Sequence, residues 1–194
     1  PLTERKGAAA LAQVVLEVLS LDGDRARLTD VVSAAGLRHA ADPGPLGDFA
    51  RTIVELDAVF PGDPGILAAL LMNRVRLMPG EAMYVPAGQM HAHLRGTGIE
   101  VMGNSDNVIR GGLTPKHVDV RELVRVVDFE PREPRILSPL TLRPGLESYP
   151  TACPEFEVWR VLGTPGPAVL PGEDSARILF VTDGRAGLTA ADEA

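Results

Sequence analysis

Residues 80–91, Gly-Glu-Ala-Met-Tyr-Val-Pro-Ala-Gly-Gln-Met-His, constrain this chain more than any other stretch. A glycine, five residues, a proline, one residue, a glycine, two residues and a histidine spell a hairpin that leaves a sheet and returns to it. Pro79-Gly80 turns the chain, 82–85 runs as a short strand, Pro86-Ala87-Gly88 breaks it, and 90–94 re-enters the sheet. Residues two apart on a strand point to one face, so His91 and His93 project together. If that face lines a barrel interior, an imidazole there is placed to bind a metal. Upstream of Leu71 the only histidine is His39, and no His-x-His or Gln-x-His set appears.

Charge and composition bound what such a hairpin can belong to. The 194 residues suffice for one generous domain or parts of two. The net charge is -7, from 26 acidic and 19 basic residues, with no Lys/Arg cluster, so no phosphate-backbone interface is expected. Aromatic residues are 4%, too few for a platform that stacks single-stranded bases. Neither balance excludes a small phosphorylated substrate, which needs only a few local donors. The one cysteine, Cys153, has no internal disulfide partner. It lies between Ala152 and Pro154, with nothing to activate a thiolate, and reads as structural or surface. No apolar run is long enough to span a membrane and no signal peptide is visible. A cytoplasmic protein without nucleic-acid or membrane partners is expected, as a monomer.

Residues 1–70 carry helical patterns. Leu11, Val14, Val15, Val18 and Leu19 form one stripe, stopped by Asp22-Gly23-Asp24. A second helix is expected over 30–39 with Thr29 as its cap. Asp42-Pro43-Gly44-Pro45 stops it, and a third begins near Asp48 with Phe49, Ile53 and Leu56 on one side. Asp63-Pro64 caps and opens a short helix through 66–71. From Asn73 the pattern turns to strands, at 75–77, 83–85, 91–94, 99–102 and 107–110. Asp119 caps a helix striped by Val120, Leu123, Val124 and Val127. Five prolines in 129–150 mark a linker or wrapping segment. Residues 155–161 read as a strand, and 176–182 with 185–189 as a hairpin around Asp183-Gly184. A lone hairpin cannot stand by itself. With Pro1 in place of a starting Met, the chain reads as cut at both ends.

The polar residues around the hairpin suggest chemistry. An arbitrary His-x-His is more often one packed and one solvated ring, but the glycine–proline frame favours a ligand role for His91. His93 stays open between a supporting group and a plain strand residue. Glu100 sits in an apolar strand, and Asp106 follows a turn. Either Glu100 is a solvated strand carboxylate and Asp106 a residue that shapes the turn, or each is an acid/base group in the cavity of His91. Arg110 stands beside Gly111-Gly112, where missing side chains leave room for an oxyanion or phosphate. Lys116 follows Thr114-Pro115, and spacing alone does not separate it from an ordinary surface lysine.

Several blocks together resemble type I mannose-6-phosphate isomerase, of the cupin superfamily. They are Leu-Met-Asn-Arg-Val at 71–75, Pro-Gly-Glu-Ala at 79–82, Val-Pro-Ala-Gly at 85–88 with His91-Ala92, and Ile-Glu-Val-Met at 99–102. The most specific is Ser-Asp-Asn-Val-Ile-Arg-Gly-Gly-Leu-Thr-Pro-Lys at 105–116. The resemblance is strong over roughly 55–130. It implies a zinc ion held by a Gln, two His and a Glu, with His91 matching the last histidine ligand and the other three falling in motifs this chain lacks. It implies that Arg110 stabilises an enediolate. It implies acid/base or substrate-binding roles for Asp106, Glu100 and Lys116. The family usually has tyrosine where this chain has His93.

The resulting expectation is a mixed α+β chain. Residues 1–70 would be a helical insert. Residues 71–128 would be return strands of a partial cupin-type β jelly roll and the following helix. Residues 129–194 would be a proline-rich linker and the start of a C-terminal jelly roll. The implied activity is zinc-dependent isomerisation of mannose 6-phosphate and fructose 6-phosphate through a cis-enediol(ate), and the isolated chain is expected to be inactive. Neutral His91 would bind the metal, so activity should fall in acid. The competing reading is a non-catalytic cupin module that binds sugar or a partner, which would account directly for the missing ligands.

Overall fold

The apolar stripes become helices where they have a surface to pack on. The computed structural model describes residues 7–20, 27–105, 107–163, 166, 169–171 and 175–189. Helix α1 (Ala8–Leu19) buries Ala10 and Val15 and ends at Ser20, whose N–H donates to Leu16 O at 3.1 Å. The stop expected at 22–24 lies outside the described residues. Helix α2 (Arg27–His39) buries Thr29, Ser33 and Gly36, a stripe of small residues that seats it closely on α3 (Gly44–Asp57). Thr29 was expected as a cap. It lies inside the helix, fully buried, and neither its hydroxyl nor that of Ser33 has a hydrogen-bond partner among the described residues.

Helix α3 begins at Gly44, earlier than the expected Asp48, because Pro43 precedes it and Pro45 stands in its first turn, where a missing N–H costs nothing. It buries Ala50, Thr52, Ile53 and Leu56. Helix α4 (Gly65–Ala69) follows and buries Ile66, Leu67 and Ala68. Ile53, Leu56 and Ile66 form the core cluster, and Leu94 and Leu113 pack on it from the segments that carry His91 and Arg110. Helix α5 (Val120–Val126) is capped as expected, with Asp119 Oδ1 accepting the Glu122 N–H at 2.9 Å, and it packs on α1.

The sheets are small and antiparallel. Strand β1 (Ala82–Met83) pairs with β2 (Ile136–Leu137), Ala82 opposite Leu137 and Met83 opposite Ile136. Strands β3 (Leu140–Arg143), β4 (Leu146–Ser148) and β5 (Trp159–Val161) form a three-stranded sheet in that order. The segment expected as a linker therefore supplies three strands and buries Leu137 and Leu146. Its prolines 139, 144 and 150 fall between strands, where no ladder N–H is needed.

The strands expected at 75–77, 91–94, 99–102 and 107–110 are not formed, and neither is the hairpin at 176–189. Of the two longer strands expected, only 82–83 and 159–161 pair. A strand exists through its neighbour's backbone, and these segments find none among the described residues. Ile99 remains 61% exposed and Ile178 97%.

Candidate functional site

Two turns build the loop that presents His91. Met78-Pro79-Gly80-Glu81 closes with the Glu81 N–H donating to Met78 O at 2.9 Å, and Pro86-Ala87-Gly88-Gln89 with the Gln89 N–H donating to Pro86 O at 3.2 Å. Each turn contains a proline and has glycine third, and the glycines take φ of +91° and +81° that other residues avoid. Both turns are tethered. The Tyr149 hydroxyl donates to Gly80 O at 2.7 Å, and the Asp128 N–H donates to Gly88 O at 2.8 Å. A segment with two strand residues is thus held by turns and by distant partners.

His91 and His93 are exposed, with ring centroids 5.9 Å apart and planes at 62°. The rings meet edge to face even without the expected strand. His91 Nδ1 lies 3.4 Å from Gln89 O, and Nε2 lies 3.6 Å from Glu100 Oε1. A proton on Nδ1, directed at the carbonyl, leaves the Nε2 lone pair open beside the carboxylate. Glu100 is therefore brought to His91, but from an irregular, exposed segment and not from the apolar strand expected. Beyond it, Glu55 of α3 lies 3.6 Å from both Arg74 and Arg95, bracing the loop that follows His93.

Arg110 and Lys116 are exposed. Their loop meets that of His91: a Cβ on Gly111 would lie 2.7 Å from Met90 Cε, so the methionine methyl covers the glycine directly after Arg110. The Lys116 N–H donates to Thr114 Oγ1 at 3.2 Å. Asp106 lies outside the described residues. The structure thus groups His91 with Glu100, and brings the start of the Arg110 loop against the residue preceding His91. Sequence reasoning did not single out the Asp63 carboxylate, which joins two segments near Arg110. It contacts both α4 and the Thr114 backbone, whereas Asp-Pro-Gly signals only a helix start.

Two hollows lie elsewhere. One of about 500 Å³ is lined by Leu11, Leu71, Asn73 and Arg132, and one of about 290 Å³ by Arg51, Glu55, Arg74 and Arg95. The His91 and Glu100 side chains are exposed. Among the described residues, no three of His, Cys, Asp or Glu are grouped to hold a metal ion. His91 offers one imidazole nitrogen, and a closed zinc site takes four donors.

Helices with small antiparallel sheets, and a histidine–carboxylate pair on a glycine-turned loop, define a mixed α+β chain with a polar surface site. Comparison with known proteins gives the particular kinship. The chain is 36% identical over 183 residues to the mannose-6-phosphate isomerase of Salmonella typhimurium, spanning 93% of this chain and 45% of that protein. It is 33% identical over 155 residues to mannose-6-phosphate isomerase 1 of Arabidopsis thaliana, spanning 80% of this chain and 36% of that protein. Its structure matches that of the Salmonella typhimurium mannose 6-phosphate isomerase bound to substrate and zinc, with TM-score 0.65 and 36% identity, over 77% of this chain and 37% of that one. No family model matches. The chain is a relative of the mannose-6-phosphate isomerases and spans about 45% of the length of the Salmonella protein. No helix among the described residues is long and apolar enough to cross a membrane.

Proposed function

We propose that these residues serve an aldose–ketose isomerase that interconverts mannose 6-phosphate and fructose 6-phosphate through a cis-enediol(ate). The observation that carries the reading is the sustained identity to mannose-6-phosphate isomerases over 93% of the chain. It favours an enzyme over a non-catalytic sugar-binding module. The finer fold proposed is a cupin-type jelly roll, to which 71–128 contributes return strands, with 1–70 as a helical insert and 129–194 leading into a second β domain.

The chemistry is proton transfer next to a carbonyl. A base takes the proton from C2 of the open-chain aldose and the C1 oxygen becomes an oxyanion; the C2 hydroxyl proton then passes to the C1 oxygen, and C1 collects the proton that the base holds, leaving a carbonyl at C2 and a hydroxyl at C1. Arg110 is proposed to hold the oxyanion, its fixed charge countering the one that develops. Glu100, Asp106 and Lys116 are proposed as the acid/base and substrate-binding groups. Zinc enters the proposal through the relatives. The described residues alone do not make up its site; His91 is proposed as one ligand.

The test is Arg110→Ala in the full-length protein. Loss of an oxyanion-holding group lowers kcat by on the order of a hundredfold or more. Zinc content and fold should be retained. Near-normal turnover of mannose 6-phosphate would remove Arg110 from the mechanism. A wild-type, zinc-loaded protein that binds the sugar phosphate without isomerising it would establish the binding-module reading instead.

A further inference from the structure

Asp63 holds two backbone segments at once. Oδ1 accepts the Gly65 N–H at 2.7 Å, at the start of α4, and Oδ2 accepts the Thr114 N–H at 3.3 Å, 51 residues along the chain. Beside the carboxylate the two segments touch as bare backbone. A Cβ on Gly65 would lie 2.7 Å from Leu113 N and 2.9 Å from Gly112 Cα, and a Cβ on Gly112 would lie 2.7 Å from Gly65 Cα. Side-chain carbons do not approach so closely, so the junction needs glycine on both sides.

Leu113 follows at φ 53°, a left-handed conformation that residues other than glycine rarely adopt. Its side chain packs on Ile53, Leu56 and Ile66. A conformation of that kind persists where its surroundings over-determine it, and here the helical core and the Asp63 carboxylate do so together. The fixed geometry reaches the polar residues in both directions. The Thr114 hydroxyl accepts the Lys116 N–H, and Arg110 joins the junction through Gly111.

We propose that Asp63 is a positioning residue for the isomerase reaction. Its carboxylate locks 112–114 onto α4 and thereby fixes where Arg110 and Lys116 stand. This rests on the isomerase reading above. The role demands a carboxylate, because two N–H groups need two acceptor oxygens. Asparagine supplies one acceptor and turns an N–H toward the other donor.

Asp63→Asn in the full-length protein separates this role from helix capping. The variant can keep the shorter bond to Gly65 while losing the bond to Thr114. Zinc content should stay at the wild-type value, and melting temperature should fall only slightly. Amide exchange over 112–116 should rise about tenfold with α2 and α3 unaffected. Misplacing a reacting group should lower kcat about tenfold while KM stays within about threefold. Gly112→Ala, which wedges the same junction from the other side, should reproduce the exchange and kcat changes. Unchanged exchange at 112–116 in both variants overturns the proposal, as does faster exchange with kcat intact. A wild-type protein with no isomerase activity overturns the isomerase reading instead, and exchange in Asp63→Asn then decides whether the junction is locked by this carboxylate.

Discussion

His91 Nε2 stands 3.6 Å from Glu100 Oε1, with both side chains largely open to solvent. The separation is too long for a hydrogen bond, so the imidazole nitrogen is not committed to the carboxylate. One such nitrogen is a ligand but not a site. The 194 residues alone should therefore retain little zinc after dialysis, while the full-length protein should retain about one ion per chain. His91→Ala should lower the full-length content well below that. Elemental analysis of dialysed protein decides it: tight stoichiometric zinc in the 194 residues, or no change on substitution, contradicts the assignment.

Cys153 governs an acid equilibrium away from this pair. Its thiol donates to Glu155 Oε2 at 2.9 Å, and this bond, with a smaller contribution from the Glu155 backbone, holds the carboxyl pKa below its ordinary value. A carboxyl whose folded pKa is depressed favours the folded state above its unfolded pKa, and that preference is lost as pH falls through the folded value. Solvent screens the group strongly, so the effect on stability is small. The carboxyl titration itself is the sharper readout. Cys153→Ala should move the Glu155 midpoint upward in a carbon-detected NMR titration, and an unmoved midpoint would deny the thiol its role.

Thr29 offers a gain in stability. Its hydroxyl is fully buried and has no hydrogen-bond partner among the described residues. Valine has the same shape and the same β-branching, and helix propensity barely separates the two. Removing an unsatisfied buried oxygen without opening a cavity should stabilise the fold by about 1 kcal/mol. Denaturant unfolding of Thr29→Val gives the value. A loss of stability would mean that the hydroxyl has a partner.

Local signals in the sequence reach as far as local physics does. The helix of α1 and the Asp119 cap of α5 are intrachain patterns within one or two turns, and both form, although of the expected α1 stripe only Val15 is buried. Thr29 misleads because capping depends on where the helix begins, and α2 already includes Arg27. The pairing of Ala82 with Leu137 has no local sign at all: proline spacing in 129–150 suggests a linker, while the prolines fall between short strands. At the candidate site, His91 and Glu100 were legible because a turn frame and an isolated charge mark them. The Asp63–Thr114 bond was not, since it joins segments that only the folded core brings together.

The last expectation concerns 91–110. Ile99, Val101, Met102 and Val108 alternate or cluster as strand residues do, yet each is exposed and no backbone ladder covers them. Unpaired amides in an extended segment exchange quickly, and exposed apolar side chains in such a segment promote association. The neighbouring residues differ, because Leu94 packs on the helical core and Ala82–Met83 is paired with Ile136–Leu137. In the 194-residue chain, amides of 95–104 and 107–110 should exchange faster than those of α2, α3 and β1, and light scattering should show self-association. A monodisperse monomer with slow exchange across these residues would show that this segment finds its partners within the 194 residues, and the proposed jelly-roll contribution of 71–128 would then have to be abandoned.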